Sequence, residues 1–230
     1  MNNRLKAVLE NFPRLYLEVL RIKRRGHWSR DWVVSRGTEI VIEGFPRSAN
    51  SFARSAFRSC QPNVRYATHV HSSAQIVQAC RWGIPTLVLL RDPQGAVCGD
   101  LAFQCELAGS DPDQVTAQSL NASLYRYIKF YRPLVSLKPH FVVGHFPEVI
   151  ADYGAVIRRI NEKFGTAFVV FEHTEENAAD IKSRATHIGP NTNRERIKSV
   201  VLRKYLEDAN RSLKVSAQEV YLAVLGGADG

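Results

Sequence analysis

The chain is poor in the residues that staple a fold or anchor it in a membrane. It has four cysteines in 230 residues, Cys60, Cys80, Cys98 and Cys105. None forms a Cys-x-x-Cys pair, and each lies in or beside an apolar run. That pattern excludes a disulfide framework and a cysteine-built zinc site, and it leaves the thiols as small hydrophobes. No stretch approaches the run of about 20 apolar residues that a bilayer demands. The N-terminal apolar positions are interrupted by Arg4, Lys6, Glu10 and Arg14, so the unbroken apolar core of a signal peptide is missing. Internal repeats, low-complexity tracts and evident linkers are lacking as well. The expectation is a soluble, cytoplasmic chain.

What is present suits one domain with a substantial core: 45% of the residues are hydrophobic and 23% charged. The formal net charge is +9. A basic excess of this size fits nucleic acid, an anionic membrane surface or a polyanionic small ligand. The basic residues form no long tract; the densest cluster is Arg21, Lys23, Arg24 and Arg25. Charge alone therefore does not choose the partner.

Residues 3–25 carry apolar positions at helical spacing, with a break expected at Pro13. Glu39 to Glu43 is a short β-branched run that ends at Gly44, which reads as a buried strand. Val64 to Thr68 is a second strand candidate. Pro85 to Arg91, almost wholly apolar, is a third, as a parallel sheet covered on both faces requires. Phe141 to Gly144 is a fourth. Helices are expected over Asn50–Ser59, Ser73–Trp82, from about Gln94, over Gln114–Arg132 and Val149–Phe164, and through most of Arg194–Leu225. Strands alternating with helices predict a three-layer α/β/α architecture with a mostly parallel central sheet, of the P-loop type. Ligands of such sheets bind at the carboxyl ends of the strands.

The sharpest local feature is Gly44-Phe45-Pro46-Arg47-Ser48-Ala49-Asn50-Ser51, directly after a strand and opening a helix. Its spacing follows the phosphate-loop pattern G-x-x-x-x-G-K-[ST], with Ala49 at the second glycine and Asn50 at the lysine. Such a loop offers backbone N–H groups at a helix N-terminus, where the dipole also favours an anion. The missing lysine speaks against triphosphate chemistry. The cation is instead Arg47, inside the loop, which suits one phosphate in the cradle and a transferring group beside it. The plainer reading is a strand–turn–helix junction with a proline turn and a serine cap.

Three segments, each at a strand end, together resemble the sulfotransferase family. Pro46-Arg47-Ser48-Ala49-Asn50-Ser51-Phe52 is similar to its donor loop, P-[KR]-S-G-[TN]-[TS]-[WF], with Ala49 for the usual glycine. Tyr66-Ala67-Thr68-His69 resembles its K-T-H strand ending. Leu89-Leu90-Arg91-Asp92-Pro93 through Gly99 resembles R-[DN]-P-x-[DG]-x-x-x-S, with Gly99 where the serine stands. A softer likeness runs from Val143 through Phe164-Gly165. The resemblance spans roughly residues 38–165.

That resemblance implies a donor, 3′-phosphoadenosine 5′-phosphosulfate (PAPS, leaving PAP), and transfer of its sulfuryl group to an acceptor hydroxyl or amine. Residues 1–37 become a helical extension, 38–165 the donor-binding core, and 166–230 a late loop and C-terminal helices of the same domain. His69 falls on the family's catalytic base, with His71 as a fallback and Glu43 a more distant one. Arg47 stabilises the leaving phosphate, while Pro46, Ser48, Ala49, Asn50, Ser51 and Phe52 complete the donor loop. Arg91 and position 99 belong to the 3′-phosphate. The family's loop over the nucleotide finds its nearest candidate in His187 to Lys198, with Arg194 and Arg196 as its cations. No metal is expected. The acceptor is a small molecule, carbohydrate or lipid and not nucleic acid; contact with a membrane surface stays open, as does oligomeric state. The alternatives are a kinase-like phosphotransferase and a non-catalytic nucleotide-binding relative.

Overall fold

The computed structural model describes residues 12–27, 29, 32–184 and 191–226. Helix α1 (Pro13–Lys23) is the first element. Pro13 does not break it but stands in its first turn, where the missing N–H costs nothing. The part of this helix expected over residues 3–11 lies outside the described residues.

Four parallel strands follow: β1 (Ile40–Gly44), β2 (Tyr66–Thr68), β3 (Thr86–Leu90) and β4 (Val142–His145), in the order β2-β1-β3-β4. In the register, Ile42 lies opposite Thr68, Gly44 opposite Leu89, and Leu90 opposite His145. All four strands thus end along one edge. Between them lie α2 (Asn50–Cys60), α3 (Ser73–Arg81), α4 (Pro93–Ala108) and α5 (Ala117–Tyr131). The chain closes with α6 (Phe146–Ala151), α7 (Tyr153–Phe164), α8 (Glu175–Ser183), α9 (Thr192–Asp208) and α10 (Arg211–Leu225).

Strands β1 and β3 are buried at every residue. Their side chains alternate between faces with period two. Val88 and Leu90 enter a core shared with α4, α5, α9 and α10. Leu87 and Leu89 enter the opposite core, built from Ile40, Ile42, Phe52 and Phe57 with Tyr153, Ile157 and Ile181. Val41 and Ala67 join a third cluster, in which Tyr16, Leu17 and Leu20 of α1 pack beside Ala74 and Ala79 of α3. Helices therefore cover both faces, and the molecule is a three-layer α/β/α sandwich on a parallel sheet. Among the described residues no helix is long and apolar enough to cross a membrane.

Several boundaries differ from the sequence-based expectation for identifiable reasons. The expected helix over Val149–Phe164 is two, because Asp152 leaves helical geometry (φ −148°) and turns its carboxylate to the Ala155 N–H as the cap of α7. Asn210 divides the last helical stretch in the same way, accepting from Leu213 N–H. The helix expected from Gln114 starts at Ala117, where Thr116 and Ser119 form a capping box. Helix α8 was not anticipated, although Thr174 followed by Glu175 and Glu176 is a recognisable start signal.

Candidate functional site at the strand ends

Gly44 closes β1 so near to β3 that a Cβ there would meet Leu89 O at 2.5 Å. Only glycine fits this approach. Tyr131, at the end of α5, ties the same junction: its hydroxyl donates to Leu89 O (2.7 Å) and accepts from Phe45 N–H (3.2 Å), with Ser48 Oγ at 3.5 Å. Asn50 spans the loop from within, Nδ2 donating to Phe45 O at 2.8 Å. The side chain standing where a phosphate loop has lysine is thus spent on holding the loop's shape.

Four non-glycine residues among those described have positive φ: Arg47 (67°), Ala49 (69°), His69 (52°) and His71 (51°). All four sit at the carboxyl edge of β1 and β2. Left-handed residues on either side of Ser48 curl the backbone into the kind of concavity that gathers N–H groups around an anion. Ala49 is the N-cap of α2 and has no side chain to satisfy the first-turn donors. A helix start without a side-chain cap is a favourable place for an anion.

Three guanidinium groups converge beside this loop. Arg91, just past β3, donates from Nη1 to Arg47 O (3.0 Å) and stacks on Phe146 at 3.9 Å, while its Nε is buried without a hydrogen-bond partner. Arg47 lies 5.0 Å from the Phe103 ring and Arg194 lies 5.3 Å from it. Arg194 is buried and paired through Nε with Glu106 Oε2 at 2.6 Å; Asn191 holds the other oxygen at 2.8 Å. Burial, then the charges of Arg194 and Arg91, pull the Arg47 pKa down, against Asp100 and Glu106. Burial pulls Arg91 down as well. Such crowding is relieved by an anion carrying more than one charge.

Other expected site residues take different places. Ser48 is fully buried and turned toward Tyr131, so it offers the site its backbone rather than its hydroxyl. Ser51 Oγ lies 3.4 Å from His69 Nε2. Pro46 is half-buried in the loop. Phe52 turns into the core among Tyr153, Phe171 and His173. Gly99 of α4 faces Arg47: a Cβ there would lie 3.4 Å from Arg47 Cβ and 4.0 Å from Arg91 Nη1, ordinary contact distances. Arg196 is exposed on α9 with Nη2 3.4 Å from Asn193 Oδ1, apart from the other arginines. His187 to Pro190 of the late loop lie outside the described residues.

The two histidines after β2 differ sharply. His69 Nδ1 lies 2.8 Å from Thr68 Oγ1, and the ring packs 5.2 Å from Trp32. Burial, with the nearby His71 and Arg54, pushes its pKa down to about 3. His71 Nδ1 lies 2.9 Å from Gly44 O and 3.5 Å from Glu43 Oε1. Glu43 is completely buried, and that burial raises its pKa against His71 and the N–H groups of Val70 and Gly44. Sequence reasoning missed Tyr131, Phe103, Phe146 and Glu106. The tyrosine and phenylalanines read as ordinary apolar positions, and Glu106 carried no motif. No group of three or more His, Cys, Asp or Glu side chains disposed to hold a metal ion occurs among the described residues.

No family model matches the chain, and no curated protein matches its sequence. Among solved structures, a mouse sulfotransferase crystallised in complex with PAP is similar at 11% sequence identity and a TM-score of 0.47, over 86% of this chain and 88% of its own.

Proposed function

We propose that this chain is a sulfotransferase that moves a sulfuryl group from PAPS to an acceptor hydroxyl or amine. The observation that carries the reading is the convergence of Arg47, Arg91 and Arg194 on a left-handed loop at a helix start. A donor with phosphate at both 5′ and 3′ positions matches that spread of cations better than one phosphate does. The N–H groups from Arg47 to Ser51 receive the 5′-phosphate. Arg91 and Arg194 are the cations available to the 3′-phosphate, the unpartnered Arg91 Nε among their donors. Arg47 stands between them and stabilises the negative charge that builds on the 5′-phosphate as the sulfuryl group leaves.

The donor supplies an activated sulfuryl group; the protein's share is to position it and to accept the acceptor's proton. Asn50 supports this reading over phosphotransfer from a triphosphate, since its amide is engaged inside the loop and provides no cation. Titration calorimetry tests the proposal. PAP is expected to bind at least tenfold more tightly than 5′-AMP, which lacks the 3′-phosphate, and than magnesium ATP. Failure to bind PAP, or preference for magnesium ATP, would overturn it.

A further inference from the structure

We propose that His71, rather than His69, is the imidazole that takes the acceptor's proton, with Glu43 positioning it. The inference rests on the sulfuryl-transfer reading and assigns its base.

Both ring nitrogens of His69 are engaged, Nδ1 by Thr68 Oγ1 at 2.8 Å and Nε2 by Ser51 Oγ at 3.4 Å. Trp32 packs against the ring, and Arg54 stacks on that indole at 5.1 Å. His69 is part-buried, and burial with the neighbouring His71 and Arg54 holds its pKa down; an imidazole so reluctant to take a proton is a weak general base.

His71 is set the other way. The groups facing its Nδ1 are Gly44 O at 2.9 Å and Glu43 Oε1 at 3.5 Å, both acceptors. The hydrogen of the neutral ring therefore sits on Nδ1, and Nε2 keeps its lone pair. The side chain is 31% exposed, so a ligand has access to it. Glu43 does not swing away: Oε2 accepts from Val70 N–H (2.8 Å) and Gln75 Nε2 (2.9 Å), and Oε1 from Gly44 N–H (3.2 Å). A carboxylate fixed beside Nδ1 orients the ring and offsets the charge it gains on protonation.

The two rings are neighbours, with centroids 5.5 Å apart, so it is their partners that distinguish them. Asp100 of α4 interacts electrostatically with both His71 and Arg47. Both histidines hold left-handed backbone (φ 52° and 51°), a strain that surrounding contacts must support and that is common where geometry serves chemistry. In the step itself, the acceptor O–H (or N–H) bond breaks and its proton passes to His71 Nε2. The acceptor's freed electron pair forms the new bond to sulfur. The bond from sulfur to the bridging oxygen breaks, and its pair stays on the 5′-phosphate of PAP.

Two readouts need no turnover. Long-range proton–nitrogen spectra of the full chain should find His71 as the Nδ1–H tautomer. Diethyl pyrocarbonate with peptide mass mapping should modify His71 at least tenfold faster than His69. Turnover is followed as PAPS consumption, with 4-nitrophenol and with water as acceptors. His71→Ala is expected to lower kcat about 100-fold or more with PAP affinity within threefold of the parent. Glu43→Gln is expected to lower kcat about tenfold at unchanged KM, a split that a merely structural loss would not give. His69→Ala should cost less than His71→Ala. Parental kcat in His71→Ala, an Nε2–H tautomer at His71, or faster modification of His69 overturns the proposal. Absence of PAP binding by the parent chain would instead sink the sulfuryl-transfer reading, while the tautomer and labelling still decide which ring is available.

Discussion

Ala49 holds φ at 69° without the freedom of glycine, in the middle of the loop that the proposed chemistry depends on. A left-handed alanine is strained by roughly 1 kcal/mol relative to glycine, partly offset by the lower entropy of its unfolded chain. Ala49→Gly should therefore stabilise the protein by about 0.5–1 kcal/mol, read from urea midpoints. His69 makes the opposite kind of contribution. Its pKa is about 3 in the folded protein and near 6.5 when unfolded. Because the folded value is depressed, the unfolded chain binds the extra proton first as pH falls. The contribution is complete above pH 6.5 and disappears as pH drops toward 3, at about 1.4 kcal/mol per pH unit. Denaturation midpoints should fall across that window in the parent, and His69→Gln should flatten the slope by the equivalent of one proton.

Among elements, the junction of β1, the loop and α2 is held from outside by the end of α5. Tyr131→Phe keeps the ring but leaves Phe45 N–H and Leu89 O without their shared hydroxyl. A loss of about 1–3 kcal/mol is expected, with weaker PAP binding because the loop is less well set. Thermal unfolding and calorimetry on one variant check both. The elements themselves were largely legible in the sequence. Strands β1 and β3 announce themselves as continuous apolar runs because both faces are covered. Gly44 marks the turn because nothing larger fits against Leu89. The helix breaks at Asp152 and Asn210 were less legible, since each residue also suits an exposed helix position, and only the fold of the neighbouring chain makes it a cap. A Cβ at Gly154 would meet Phe171 O at 2.5 Å, which shows how closely a distant segment crosses the start of α7.

For the molecule as a whole, the net charge of +9 acquires a local meaning. Arg47 of the first loop and Arg194 at the start of α9 meet around Phe103, and Arg91 at the end of β3 joins them by donating to Arg47 O. A polyanionic ligand that binds the folded chain alone should raise its stability by about 2.7 kcal/mol at a hundred times its Kd. PAP should give that shift in a thermal scan, and the shift should shrink as salt rises from 50 to 500 mM. Arg194→Met should weaken PAP by about tenfold or more while changing 5′-AMP binding far less; an equal loss for both nucleotides would remove Arg194 from the 3′-phosphate.

The sequence by itself determined the layered α/β plan, the phosphate-type loop at Gly44–Ser51 and the candidacy of Arg47, Arg91 and the two histidines, because strand burial, glycine approach and motif spacing are local properties of the chain. Only the tertiary structure decided how these parts combine. It brought Arg194 to the loop and left Arg196 on the surface. It turned Phe52 into the core and set Tyr131 behind Phe45. It also gave the neighbouring rings of His69 and His71 different partners, Thr68 and Ser51 for one and Gly44 O and Glu43 for the other. Residues two apart on a strand end are equivalent by pattern. Their surroundings come from elements far away in the chain, and those surroundings decide which nitrogen keeps a lone pair and which charge has company.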